Sequence, residues 1–264
     1  MEVIIKPTAG DASLIAAKLI ARQIRHKPTS VLGLATGNTP LDTYRHLVKM
    51  HQGEGLDFSR VTTFNLDEYV GLAPDHPASY HSFMWEYLFK HVNIKPLQVN
   101  IPNGLAKNIP EHCREYEDKI RACGGIDIQL LGIGGDGHIG FNEPCSSLSS
   151  RTRIKTLTRR TIQDNSTFFD SAEQVPLHVL TMGIGTIMDS RSCVLLAFGT
   201  RKAEIVAKMV EGPISAMVPA SALQWHEKTT VLIDEEASGK LTRKDYYQWV
   251  YQNKPAWQTA EIES

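Results

Sequence analysis

Cysteine is scarce in this chain: four in 264 residues, at Cys113, Cys123, Cys145 and Cys193, with no CxxC pair. A disulfide framework is therefore not expected, and reduced thiols in a cytoplasmic setting are. Long apolar runs are lacking as well. The opening MEVIIKPTAGD has an apolar patch of only Val3–Ile5, too short for a signal-peptide core. No stretch approaches the ~20 apolar residues of a membrane span, so a soluble chain is expected. Nor is there an excess of either charge. Lys plus Arg total 28 against 29 for Asp plus Glu, a net charge of -1. That balance gives no electrostatic reason to expect nucleic acid or a membrane as partner. Repeats, low-complexity tracts and Gly/Ser linkers are missing too, which predicts a single domain over residues 1–264. A chain of this length buries roughly three quarters of its unfolded surface and needs no staples.

What is present is an alternation. Short β-branched apolar runs at Glu2–Lys6, Ser30–Ala35, Val61–Leu66, Ile126–Ile133, Ser192–Gly199 and Thr229–Asp234 read as strands covered on both faces. Helical patterns lie between them at Asp11–His26, Pro40–His51, Ser79–His91, Pro110–Cys123 and Thr200–Glu211. The expected fold is α/β: an open, mostly parallel, Rossmann-like sheet with helices on both faces. The alternation lapses over Arg151–His178. A lid is expected there, at residues 157–179, with Thr161–Gln174 read as a loop long enough to move.

In open parallel sheets, ligands sit outside the carboxyl ends of the strands. Three segments hold such positions. The first is Thr36-Gly37-Asn38-Thr39, before Pro40, where a glycine turn, two hydroxyls and a helix N-terminus suit a phosphate. An ordinary turn capped by Thr39 is the plainer alternative. The second is Asn65-Leu66-Asp67-Glu68-Tyr69, leaving a strand. One carboxylate there can face the crevice and act as general base while the other points away. The third, GIGGDGHIGFNE at Gly132–Glu143, contains GxGxxG after a strand. A dinucleotide site needs a helix opening at its third glycine and an acid about twenty residues on. Here glycines continue to Pro144, and the later region, Arg151 to Lys155, is basic. What remains is Asp136, His138 and Glu143 in one loop, an acid–base set whose general catalytic effect is ~10²–10⁴ in rate. The same three side chains could ligate a metal, but no HxH or HExxH spacing favours that, and no metal is expected.

Taken together, LATGNTP, TTFNLDEYVGL, SYHSFM, LLGIGGDGHIGFNEP, SSLSSRTRIKTLT and GTRKAEIVAKMVEG resemble the glucosamine-6-phosphate deaminase family, from about Val3 to Asp234. The resemblance implies a fold of the sugar-phosphate isomerase type. It also implies a reaction without cofactor or metal: D-glucosamine 6-phosphate and water give D-fructose 6-phosphate and ammonia. By motif, Asp67 would move the C2 proton toward C1. His138, aided by Asp136 and Glu143, would open the ring. Thr36, Gly37, Asn38 and Thr39 would hold the phosphate with Lys202. Ser146, Arg153 and Lys155 match positions that bind the effector N-acetylglucosamine 6-phosphate in regulated relatives, and a homo-oligomer, up to a hexamer, is implied.

Two features stand apart. Arg151, Arg153 and Lys155 alternate with Thr152, Ile154 and Thr156, so a strand would put all three cations on one face. In the lid, Thr167 stands where the family's ANxRFF-type segment has a phosphate-contacting arginine. Losing that charge-assisted hydrogen bond costs about 1.5–3 kcal/mol unless Arg159, Arg160 or another residue replaces it. The rival readings are an enzyme for a related amino-sugar phosphate such as galactosamine 6-phosphate, and a sugar-phosphate sensor without turnover. The C-terminal tyrosines and tryptophan, Tyr246, Tyr247, Trp249 and Tyr251, are expected to pack against the body.

Overall fold

A computed structural model describes residues 1–169, 171–255 and 258. Its elements, in chain order, are β1 (Glu2–Lys6), α1 (Ala9–His26), β2 (Val31–Leu34), α2 (Leu41–Glu54), β3 (Thr62–Asn65), β4 (Asp67–Tyr69), α3 (Tyr80–Tyr87), β5 (Val99–Asn100) and α4 (Ile109–Ala122). Then follow β6 (Ile128–Gly132), β7 (Arg153–Thr156), α5 (Arg159–Asn165), β8 (His178–Thr181), α6 (Ile184–Met188), β9 (Cys193–Ala197), α7 (Ala203–Glu211), β10 (Thr229–Asp234) and α8 (Lys244–Gln252).

Seven strands form one parallel sheet in the order β1-β10-β9-β6-β2-β3-β5. Each central strand is apolar on both sides because alternate residues enter different cores. Leu32, Leu34, Leu130, Leu196 and Leu232 face α1 and α2. Val31, Leu131, Leu195, Val231 and Ile233 face α4, α6 and α7. This two-sided burial is why the strands read as continuous apolar runs, and it confirms the expected α/β architecture. No helix among the described residues is long and apolar enough to cross a membrane. All four cysteines are free thiols, Cys113 and Cys193 buried, Cys123 and Cys145 exposed.

A second, antiparallel sheet, β4-β8-β7, lies beyond the first. The NLDEY segment is therefore no loop: after the single residue Leu66, Asp67 opens β4 and pairs with Thr181. The cation alternation is corrected in part. Arg153 and Lys155 share a half-buried face of β7, whereas Arg151 precedes the strand. Arg151 turns instead to the buried Glu117 of α4 at 2.6 Å and to Asp189 at 2.6 Å. Glu117 also accepts from Thr152 N at 2.8 Å and from the Thr186 hydroxyl, which ties α4 to α6 and to the start of the small sheet.

The stretch Thr161–Gln174 is largely helical rather than a loop. Thr158 caps α5 by accepting from Thr161 N, and 3-10 turns follow at Ser166–Phe168 and Ala172–Gln174; Asp170 is outside the described residues. Leu157, Ile162, Phe169 and Val175 from this region enter a small third core with Tyr69 and Phe141. The helix expected over Ser79–His91 stops at Tyr87 and resumes as a 3-10 turn at Phe89–His91.

At the C-terminus α8 covers the edge strand β1. Tyr247 bonds Glu211 at 3.3 Å and Tyr251 lies under Lys6 Nζ, while Tyr246 and Trp249 stay exposed. The expected packing therefore holds for two of these four aromatics. Residues 256, 257 and 259–264 lie outside the described residues.

Candidate active site

The strand order reverses between β2 and β6, since the chain moves outward to β3 on one side and to β9 on the other. A crevice forms at the carboxyl ends where neighbouring connections diverge. A cavity of about 230 Å³ opens there, lined by Thr36, Gly37 and Thr39 after β2, Asp67 after β3, and Gly134, His138 and Gly140 after β6. That volume suits a small metabolite better than a dinucleotide.

The β2 turn is shaped by Gly37, whose φ of 94° is left-handed. Thr39 does not cap α2. Pro40 is the capping residue and no side chain accepts from the first turn. Asn38 departs from the expected set: it borders a neighbouring surface groove with Leu41 and His81 instead of the cavity.

Asp67 and Glu68 diverge, as side chains on adjacent strand positions must. Glu68 turns to the start of α3 and accepts from Tyr69 N at 2.8 Å, Tyr80 N at 3.0 Å and His81 N at 2.9 Å. Asp67 points to the cavity. Burial, joined by the neighbouring Glu68 charge, raises its carboxyl well above the usual carboxylate range. Gly140 makes room for it: a Cβ there would sit 3.6 Å from Asp67 Oδ2 and 2.9 Å from Thr181 Oγ1.

The loop after β6 closes on itself through Gly134 N to His138 O at 2.9 Å and Gly137 N to Gly134 O at 3.1 Å. This packs the His138 ring onto Gly134, where a Cβ would lie 2.2 Å from Cε1. Asp136 Oδ1 approaches His138 Nδ1 to 2.7 Å and accepts from His138 N at 3.1 Å. The ring contact meets the distance but not the alignment of a hydrogen bond, which is common before substrate binds. Burial pushes the Asp136 carboxyl up, but hydrogen bonds and charge from His138 outweigh it and hold it below the usual range. Glu143 stands behind the ring. Its Oε2 lies 3.8 Å from Nδ1 and has no hydrogen-bond partner among the described residues, while Oε1 accepts from Thr158 N at 3.2 Å and Thr161 Oγ1 at 2.7 Å. The donor atoms of Asp136, His138 and Glu143 lie within 4.8 Å of one another, near enough to hold a cation as well as to pass a proton.

Lys202 comes from the turn before α7, and its Nζ donates to Ile133 O at 2.7 Å. Burial, with Arg201 and Arg160 nearby, makes its ammonium easier to deprotonate than usual, against the pull of Asp164 and Asp136. Ser146 is buried with its hydroxyl unpartnered among the described residues, and Arg153 donates to Asn142 Oδ1 at 2.8 Å. Neither they nor Lys155 line the cavity. The aromatic wall was not singled out from the sequence. Tyr80 stacks on Phe141 at 6.1 Å, Tyr69 packs against both, and Phe169 of the expected lid meets Tyr69 edge-on at 5.5 Å. Asn165 of α5 also lines the cavity. The blocks TTFNLDEYVGL, SYHSFM and LLGIGGDGHIGFNEP contain Tyr69, Tyr80 and Phe141, but nothing in their pattern said that the three rings meet.

Residues 8–232 match the family described as glucosamine-6-phosphate isomerases/6-phosphogluconolactonase. The chain belongs to that family. It is 53% identical over 258 residues to a glucosamine-6-phosphate deaminase of Arthrobacter sp. (strain FB24), covering 98% of this chain and 99% of the relative. It is 54% identical over 250 residues to a glucosamine-6-phosphate deaminase of Hahella chejuensis (strain KCTC 2396), covering 95% of each. Among solved structures, a monomeric glucosamine-6-phosphate deaminase superposes with a TM-score of 0.90 at 50% identity, over 91% of this chain and 100% of that one. The fold extends across the isomerase/lactonase family: a Trypanosoma brucei 6-phosphogluconolactonase shares it at 20% identity and a TM-score of 0.71, over 91% and 98% of the two chains.

Proposed function

We propose that this protein converts D-glucosamine 6-phosphate and water to D-fructose 6-phosphate and ammonia. The observation that carries the reading is the convergence of Asp67, His138 and the Thr36–Thr39 turn on one cavity, in a chain similar over nearly its whole length to enzymes of that name. The chemistry needs two proton carriers. His138, backed by Asp136 and Glu143, moves a proton from the C1 hydroxyl to the ring oxygen, so the pyranose opens to an aldehyde. Asp67 then takes the C2 proton and returns it to C1, while the C1 oxygen gains a proton and the amino nitrogen loses one, leaving a hydroxymethyl group at C1 and an imine at C2. Water adds to that carbon and ammonia leaves. Lys202 and the turn hydroxyls hold the phosphate. None of these steps calls for a cofactor, and the three donors around His138 act as proton carriers in place of a metal site.

Residues 157–179 act as the lid of one catalytic domain in this reading, since α5 lines the cavity and bonds Glu143. A cytoplasmic setting fits the free thiols. The effector N-acetylglucosamine 6-phosphate would meet Ser146, Arg153 and Lys155, with Arg153 touching the loop of His138 through Asn142. A homo-oligomer rests on the resemblance, whereas the solved relative is described as a monomer.

The decisive measurement is fructose 6-phosphate formation in a coupled assay, with and without N-acetylglucosamine 6-phosphate. Ammonia release should follow it one to one. Faster turnover of galactosamine 6-phosphate would transfer the assignment to that epimer, and binding without turnover of either would leave a sensor.

The raised pKa of Asp67 sets a pH dependence. A base works only when deprotonated, so kcat/KM should climb with pH through the elevated Asp67 pKa of the free protein rather than through the ordinary carboxylate range. Glu68→Gln removes the smaller of the two causes, and the acid limb should move to lower pH while remaining elevated, because burial persists. A limb that stays put or moves upward would separate Glu68 from the tuning of Asp67.

A further inference from the structure

The first turn of α5 brings a second cation to the loop that Lys202 holds. Arg160 lies across Gly135: a Cβ at that glycine would sit 2.6 Å from Arg160 Nη2 and 3.4 Å from its Cζ. Gly135 is two residues past Ile133, whose carbonyl takes the Lys202 ammonium at 2.7 Å. Two positive side chains from separate elements therefore converge on one short loop. The same loop touches the hydroxyl-rich turn, since a Cβ on Gly132 would meet Thr39 Cβ at 4.0 Å.

Little in the protein offsets this concentration of positive charge. Asp164 pairs with Arg160 only at 4.0 Å, and both side chains are 63% exposed. Such a pair is weak and leaves most of the five guanidinium donors unused. Asp136 is already committed to His138. Two cations that share only weak carboxylate partners beside a turn of threonines form a site for a dianion, and a guanidinium fork matches phosphate oxygens better than other side chains do.

We propose that Arg160 is a phosphate-binding residue, closing on the substrate's phosphate from α5 opposite Lys202 and the Thr36–Thr39 turn. It thereby supplies the contact that Thr167 cannot make. The sugar part of this statement rests on the reaction proposed above, but the phosphate part can be measured alone.

Inorganic phosphate is the probe, titrated by calorimetry into the wild type, Arg160→Gln, Arg160→Lys and the adjacent control Arg159→Gln. Loss of a charge-assisted contact is expected to weaken phosphate binding about 10- to 100-fold in Arg160→Gln. The lysine variant should recover part of the loss, and Arg159→Gln should stay within about twofold of wild type. With glucosamine 6-phosphate as substrate, KM should rise by the same factor and kcat should change little. Unchanged phosphate binding in Arg160→Gln, equal losses in both glutamine variants, a lysine variant as weak as the glutamine one, or a loss confined to kcat would overturn the assignment. A wild type that binds phosphate through Arg160 but releases no ammonia would refute the reaction and leave this residue's role intact.

Discussion

Asp67→Asn is expected to lower ammonia release by about 10²- to 10⁴-fold and to stop exchange of the C2 proton with solvent. Binding of a phosphosugar should survive, because the amide is isosteric and the proposed phosphate contacts at Thr36, Gly37 and Thr39 come from a separate turn of the cavity lining. The same substitution should not weaken the fold. Burial and the Glu68 charge raise the Asp67 pKa in the folded state above its unfolded value. Its contribution to stability is therefore full below the ordinary carboxylate value and is lost as pH rises through the elevated one. Asparagine carries no such penalty, so the variant should melt no lower than wild type at acid pH and progressively higher as pH rises. An enzyme that holds a base in a place hostile to its charge gives up stability for reactivity. Undiminished C2 exchange in Asp67→Asn would remove it from the base role, and a melting point below wild type at alkaline pH would contradict its electrostatic cost.

The second large effect belongs to His138. His138→Gln keeps a side chain that can hydrogen-bond but cannot act as the acid–base group, so the ring opening proposed above would lose its proton carrier. Turnover of the cyclic substrate should drop by about 10²- to 10⁴-fold, the usual span for a general acid–base group. An open-chain substrate analogue bypasses that step and should lose far less. Equal losses on both would mean that the ring serves a later step or merely supports the loop. The substitution also removes the ring contact and charge that help hold the Asp136 pKa down, while the backbone N–H of residue 138 still donates to it. Its carboxyl should then titrate at higher pH, visible by NMR as an upward shift.

Six of the seven central strands were legible because they are covered on both faces, and runs such as Val31–Leu34 and Cys193–Ala197 have no polar side to confuse the pattern; the two-residue β5 at the edge was not. Nor was the small sheet. Its strands are short, and two of them are polar: β4 reads Asp-Glu-Tyr, and β7 inverts the usual order by half-burying Arg153 and Lys155 while exposing Ile154. Pairing with β8 across more than a hundred residues of sequence holds β4 extended, and no local propensity announces it. Within the site, Asp67 and His138 were visible as chemistry placed at strand ends. Asn38 was not separable from its neighbours in the turn, because whether a turn residue faces the cavity depends on the φ adopted at Gly37. Arg160 was one of two adjacent arginines, and only its approach to Gly135 tells it apart from Arg159.

Leu66 is all that separates the two sheets, and it places Asp67 at a joint between parts of unequal cohesion. The large sheet is sealed by helices on both sides, whereas the small one relies on the modest core around Tyr69, Phe141 and Val179. Local opening follows the density of buried apolar contacts. Warming should therefore loosen the small sheet first, and the carboxylate at the joint would lose its alignment while most helix and strand persist. Heat would inactivate this enzyme before it denatures it, and half-lives of activity would overstate how readily the chain unfolds.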